Sequence, residues 1–184
     1  MRKLYIDDKP FPSEQYQKRA DANDGSAYRE AHRKLHPIAK FFVTKRGYYD
    51  MFLIGLNGDS YYTVEKEDDF ATNLIDGRWR DTGLADVYRR AKEKPEAVAM
   101  SDMQTYSPSN GDPAIFMARV LVEVSGKTIG VIAFQLPTEQ ILEIMSYTIG
   151  MRETGETYLL GQDQLMRSHS RFSTTSTVLQ YPHG

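Results

Sequence analysis

The chain of 184 residues predicts an α+β fold in which a five-stranded antiparallel sheet packs against long N-terminal helices. Three observations carry this. Ala31, Leu35, Ile38 and Phe42 recur at helical spacing, which marks one apolar stripe on a helix. From Tyr49 onward, short apolar runs alternate with turn residues, the pattern of strands. A helical stretch with Leu84, Val87, Tyr88 and Ala91 at i, i+3, i+4 and i+7 separates the first two strands from the next three.

The elements follow in order. A polar helix is expected over Ser13 to about Ala22, ended by the Asp24-Gly25 break. Ser26 can cap the next helix by accepting a bond from its first turn, and Pro37 should kink or step it. The stripe on that helix must be buried. Tyr49 to Leu56 and Ser60 to Glu65 are strands joined at Asn57-Gly58, a pair that favours a type I′ turn because both positions need positive φ. Lys66 to Asp81 is a polar, irregular crossover. It ends at Asp81 or Thr82, either able to cap the Leu84 helix, which carries Lys92 and Lys94 near its C-terminal end and stops at Pro95. A meander is expected at Ala97 to Met103, Ala114 to Val124 and Lys127 to Gln135, turned by the loop Tyr106 to Pro113 and by Ser125-Gly126. Thr138 is the expected cap of a helix presenting Ile141, Leu142, Met145 and Ile149 on one face. Two short strands follow, Thr157 to Leu160 and Gln164 to Ser168, turned at Gly161-Gln162-Asp163, and the Ser/Thr-rich tail from Ser173 is expected to be loosely held. Two strands, a helical connection and three strands make a sheet of the PAS type.

Composition excludes several functions. The 25 acidic and 23 basic side chains leave a net charge of −2, which supplies no field for a nucleic-acid partner. There is no cysteine, hence no disulfide, cysteine-based metal site or cysteine nucleophile. The longest apolar runs, Met51 to Leu56 and Gly130 to Phe134, fall far short of the roughly 20 residues that span a bilayer. Met1 to Asp8 carries basic residues with no apolar run behind them, so it does not read as a secretion signal. No nucleophile elbow, dinucleotide glycine loop or His/Glu metal motif is present. The chain therefore reads as non-enzymatic and without a cofactor.

Candidate sites are weighed against simpler readings. His32 and His36 share a helix face at zinc-ligand spacing, but two ligands do not make a site, and packing or capping explains them as well. Ser125-Gly126-Lys127-Thr128 ends like a P-loop, yet Leu121 stands where that loop needs glycine, so the segment is a hairpin turn. Glu65 to Asp69 (EKEDD) fits no calcium loop and reads as a solvated strand end and helix cap, with Asp69 or Lys66 turned toward a pocket as the alternative. Tyr61 and Tyr62 alternate, one toward the helices and one outward. Arg78-Trp79-Arg80 can clamp a carboxylate and cover an ammonium or aliphatic body; otherwise it is an exposed loop anchored by Trp79. A PAS-type sheet leaves a cavity beneath its crossover. The expected lining is Tyr62, Lys66, Asp69, Trp79, Asp102, Tyr106, Phe116 and Gln135, with Arg78 as carboxylate clamp, and a one-residue slip would exchange Phe116 for Met117.

Five stretches taken together carry a family likeness: AYREAHRKLHP (Ala27 to Pro37), GYYDMFLIGLNGDSYYTVEKEDDFATNL (Gly47 to Leu74), SDMQTYSPSNGDPAIFMA (Ser101 to Ala118), GVIAFQLP (Gly130 to Pro137) and GETYLLGQDQLMRSHSRF (Gly155 to Phe172). Over about Ser26 to Phe172 the chain resembles the extracytoplasmic Cache-type, PAS-like sensor domains of bacterial methyl-accepting chemotaxis proteins and of related membrane-bound kinases and nucleotide cyclases. The resemblance implies a periplasmic domain of an inner-membrane receptor that binds a small molecule and signals across the membrane. The alternative is a ligand-free dimerisation or spacer module of such a kinase or cyclase. The expected organisation is a helical stalk over 1–46, a sensor module over 47–150 and the truncated start of a second, membrane-proximal module over 151–184. A weak homodimer through the N-terminal helices is expected, since Tyr16 and Ala20 are the meagre apolar content of the Ser13 to Ala22 segment.

Overall fold

The computed structural model describes residues 25–182; the helix expected over Ser13 to Ala22 lies outside them. Helix α1 (Ala27–Arg46) starts where Ser26, in extended backbone, accepts a bond from the Arg29 N–H, and it ends at Gly47 in the left-handed conformation, φ 71°. It runs on through Pro37.

The buried face of α1 is not the expected one. His32, His36, Ala39 and Val43 are buried, whereas Ile38 is 68% exposed and Phe42 39% exposed, and Phe41 beside them is also exposed. The helix is turned by one residue relative to the Ala31–Leu35–Ile38–Phe42 stripe. The reason lies in the surface it meets, which carries the Tyr62 hydroxyl, 2.7 Å from His36 Nδ1, beside an apolar patch of Met51, Val64 and Leu53. An imidazole can satisfy that hydroxyl, and an isoleucine cannot.

Strands β1 (Asp50–Ile54) and β2 (Ser60–Thr63) form the first hairpin. Its turn is not type I′: Gly58 alone has positive φ, and the Gly58 N–H bonds the Gly55 carbonyl while Gly55 pairs with Asp59 across a three-residue loop. Such a loop ends in one left-handed residue, so glycine is needed only there. The crossover folds back along β2, with backbone bonds from Ser60 to Thr72 and from Ala71 to Ser60. Thr82 caps α2 (Gly83–Glu93), and Leu84, Val87, Tyr88 and Ala91 are all buried.

The strand expected over Ala97 to Met103 shrinks to β3 (Ala99–Met100), and an unanticipated strand, β4 (Gln104–Tyr106), follows it. Ser101 interrupts the expected strand by placing its hydroxyl, rather than its carbonyl, opposite the Phe116 N–H at 2.9 Å. Both β3 and β4 pair with the long β5 (Asp112–Val122), which pairs with β6 (Thr128–Leu136). The path across the sheet is β2-β1-β6-β5-β3, with β4 also on β5 and every pairing antiparallel.

Alternation splits the sheet into two buried faces. Met51, Leu53, Tyr62 and Phe134 pack on Ala39 and Val43 of α1. Phe52, Ile54, Phe116, Ala118, Val131 and Ala133 pack on α2 in the main core. Each large apolar side chain so buried contributes about 1.5–3 kcal/mol.

Helix α3 (Thr138–Met145) has Pro137, not Thr138, at its cap, with no side-chain bond. Ile141 and Leu142 pack on Met103, Ile115 and Val178, but Ile149 lies beyond the helix end and is exposed. The two strands expected after Gly155 reduce to a bridge between Leu160 and Met166. The two segments keep the bonds Gly161 N–H to Leu165 O and Arg167 N–H to Leu159 O, and the tail pairs with the second of them: Leu179 N–H bonds Met166 O, and Met166 N–H bonds Gln180 O. With Thr177 and Val178 buried, the tail is held rather than loose. No helix of the described residues is long and apolar enough to cross a membrane.

A buried acidic cluster as candidate functional site

Three neighbouring strands place one residue each in a row on the α2-side face. Asp50 of β1 stands opposite Gln135 of β6, and Gln135 opposite Phe116 of β5. All three are buried. The crossover brings Asp69 to this row, where Tyr106 from β4 donates to Asp69 Oδ2 at 2.7 Å. The Tyr106 ring meets Phe116 edge-on at 4.8 Å, and Phe116 meets Phe52 at 6.1 Å. Behind them, Gln135 Nε2 donates to Ser109 Oγ at 3.3 Å, Ser109 to Glu67 Oε2 at 2.6 Å, and Tyr49 to Glu67 Oε1 at 2.7 Å.

The electrostatics of the row are unusual. Burial pushes Asp69 up to about 7, opposed by the Tyr106 hydrogen bond and reinforced by Glu67. Burial likewise raises Asp50 well above the carboxylate range, and the charges of Asp69 and Glu65 add to it. Its Oδ1 accepts backbone N–H groups of Met51, Val64 and Glu65. Tyr106 is raised by burial and by Asp69, and Glu67 by burial. Asp50 Oδ2, Asp69 Oδ1 and Gln135 Oε1 are buried without a hydrogen-bond partner. Each such orphan costs about 1–3 kcal/mol. A group with several N–H donors and a positive charge is the chemical complement of this arrangement.

The roof of the cluster is the crossover. Lys66 and Ala71 both sit in left-handed backbone, φ 58° and 56°, a conformation that costs a non-glycine residue about 1–2 kcal/mol. Trp79 is buried in the main core, its indole donating to Asp68 O at 3.2 Å, and the exposed Arg78 stacks on it at 4.3 Å. A cavity of about 240 Å³, lined by Tyr49, Ser109, Gln135, His169, Ser176 and Val178 among others, opens against the Ser109–Gln135 end of the cluster. Among the described residues, no group of three or more His, Asp or Glu side chains is arranged to hold a metal ion.

The chain superposes on the ligand-binding domain of the Pseudomonas fluorescens chemoreceptor CtaA in complex with L-serine, at 14% identity and TM-score 0.54 over 92% of this chain and 63% of that one. It superposes on the ligand-binding domain of the Campylobacter jejuni chemoreceptor Tlp3 in complex with 4-methylisoleucine, at 17% identity and TM-score 0.52 over 72% and 48%. The chain has the fold of a chemoreceptor sensor domain. The sensor domain of the V. cholerae histidine kinase DctB shares this fold, at 14% identity and TM-score 0.51 over 66% of this chain and 44% of that one. The chain spans between 44% and 63% of the length of these three sensor domains. No family model and no curated protein matches the sequence.

Of the nine expected lining residues of the sensor fold, Asp69, Tyr106, Phe116 and Gln135 come together in the cluster. Phe116, not Met117, faces it. Trp79 lies in the same core, with Arg78 outside it. Tyr62 lies on the opposite face, packed on α1 and bonded to His36, and Tyr61 points outward. Lys66 is fully buried but reaches His36 rather than Asp69. Asp102 is exposed and holds Arg167 through two hydrogen bonds of 3.0 and 2.7 Å, which pin the C-terminal segment to the sheet.

The Glu65 to Asp69 run is not solvated as expected: Lys66 and Asp69 are fully buried and only Asp68 is exposed. The chain curls there through Lys66 and returns along β2, which turns the acids under the roof. Asp50, Ser109 and Tyr49 belong to the cluster with no expectation attached to them, and Glu67 joins it from the EKEDD run. Asp50 carries a usable signal, a lone acid inside the apolar run YYDMFLIGL.

Proposed function

We propose that this chain is an extracytoplasmic sensor module that binds a small molecule bearing an ammonium group, within a membrane-anchored chemoreceptor or kinase. Asp50, Asp69 and Gln135 accept the ammonium hydrogens, while Tyr106, Phe116 and Trp79 enclose the rest of the ligand. The observation that supports this above all is the set of three buried, unpartnered acceptor oxygens beside carboxyls already burdened by burial. A cation arriving there relieves desolvation and repulsion together. Arg78, exposed beside Trp79, is available to a carboxylate if the ligand is an amino acid. In this reading residues 47–150 are the sensor module, 1–46 the stalk through which a weak homodimer forms, and 151–184 the start of a second module.

Thermal-shift screening of the chain against amino acids, amines and organic acids tests the reading. A ligand at 100 times its Kd should stabilise the chain by about 2.7 kcal/mol. The hits should be amines or amino acids, and Asp69→Asn should remove them. Hits confined to organic acids would overturn the ammonium reading, and no hit at all would favour a spacer module.

A further inference from the structure

A second buried polar cluster lies on the opposite side of the β1–β2 hairpin, under α1. His32 and His36 are both 2% exposed, and their rings stack at 4.8 Å. Lys66, fully buried, reaches across from the segment after β2. Its backbone N–H is pinned to Thr63 Oγ1 at 2.8 Å. Its Nζ lies 3.4 Å from His36 Nδ1 and donates to Val64 O at 3.3 Å. The same imidazole nitrogen is 2.7 Å from the Tyr62 hydroxyl, so Tyr62 and Lys66 compete for its one lone pair, and once protonated it donates to the Tyr62 oxygen instead.

Among the described residues, the other titratable groups facing this contact are few. They are His32 and Lys40 from α1, Tyr62 from β2 with Tyr28 beside it, Glu65 from the same segment and Asp50 from β1. Asp50 stands at the junction of the two clusters, because its Oδ1 accepts the N–H groups of Val64 and Glu65 while its Oδ2 is unpartnered.

We propose that the Lys66–His36 contact is a proton-operated latch, closed near neutral pH, which fastens the crossover to α1 and opens when the imidazole is protonated. A neutral imidazole has one ring nitrogen able to accept, and a protonated one has none. Protonation therefore ends acceptance at Nδ1 and sets two cations against each other in a site closed to water, where their repulsion is least screened. The displaced ammonium is drawn toward Asp50, whose charge favours the ammonium form of Lys66 and whose Oδ2 is unpartnered. Burial lowers Lys66 to about 7 while Asp50 and Glu65 oppose the shift, so its proton is lightly held near neutral pH and its charge depends on these acids. Transfer of Lys66 from His36 to Asp50 moves its anchor from α1 to the cluster under the roof. The latch does not depend on the identity of any ligand.

Trp79 is the only tryptophan and donates to Asp68, two residues from Lys66, so its emission reports on this segment. Titration of the whole chain from pH 8 to 5 should shift Trp79 emission cooperatively, with amide exchange in α1 rising at least tenfold over the same interval. His36→Gln and Lys66→Met should each abolish the shift. Glu65→Gln, which removes a neighbouring carboxyl that burial raises to about 7, should keep it. No shift in the unmodified chain, or an unchanged shift in His36→Gln and Lys66→Met, would overturn the latch, as would its loss in Glu65→Gln. Should the His36 variant fail to fold, NMR of the unmodified chain decides. The His36 ring should titrate together with the Lys66 Nζ signal, and an imidazole that stays neutral until the chain unfolds would refute the proposal.

Discussion

Asp69→Asn should make the protein more stable at pH 8 while removing a central group of its site. Burial holds Asp69 at about 7 against an ordinary value of 3.8. Between those values the folded chain keeps a proton that the unfolded chain has released. Stability therefore falls as pH rises from about 4 to about 7 and levels off above that. At about 1.4 kcal/mol per pK unit, the buried charge costs on the order of 4 kcal/mol at pH 8. Asparagine carries no charge and keeps a carbonyl oxygen for Tyr106, so the variant should gain about 2–4 kcal/mol at pH 8 and little at pH 5. Urea unfolding followed by Trp79 emission at the two pH values reads the difference. With a slope near 2 kcal/mol/M, the midpoint should move up by about 1–2 M at pH 8. A variant less stable than the parent at pH 8 would show that Asp69 is a structural acceptor rather than a strained site residue.

Three further outcomes follow from the same geometry. Arg167→Ala removes the tie to Asp102 and Asp163 and should cost about 1–2 kcal/mol; limited proteolysis should cut within 155–182 sooner, while Trp79 unfolding stays put. That tie contributes above the ordinary aspartate range and is lost as pH falls through the lowered Asp102 value, so cutting should quicken in acid in the parent chain too. Leu84→Ala, at a fully buried position of α2, should cost about 2–5 kcal/mol in urea unfolding. Ile38→Glu and Phe41→Glu, on the exposed face of α1, should leave stability within about 0.5 kcal/mol but weaken self-association measured by sedimentation.

The order of elements was legible because period-2 and period-3.6 patterns survive in single sequences. The orientation of α1 was not. Turning a helix by one residue exchanges Leu35 and Ile38 for His36 and Ala39, and hydrophobicity favours the wrong choice, since histidine scores as polar whatever it meets. The expected third strand failed at Ser101, a side-chain substitution for a backbone bond that no propensity encodes. In the site, Phe116 and Gln135 follow from alternation on two central strands, and Asp69 and Tyr106 from their places beside the crossover. Asp102 has its partner at Arg167, 65 positions away, and nothing local in the sequence connects them. Asp50 is hidden from pattern reading because a carboxylate in a strand reads as a surface residue, while its isolation among apolar neighbours marks it as buried.

The two polar clusters share one short stretch of chain. Val64 and Glu65 give their N–H groups to Asp50, and Lys66 spends its ammonium on His36. Asp50 draws Lys66 toward its charged form across that stretch. A cation bound at Asp50 would therefore weaken the pull on Lys66, and loss of the His36 contact would strengthen it. The core around α2 is apolar and closely packed, with Leu84, Ala85, Val87 and Ala91 fully buried, so it offers no comparable charge to redistribute. A change in charge at the acidic row is thus felt at Lys66 and at Tyr62, both of which contact His36 of α1.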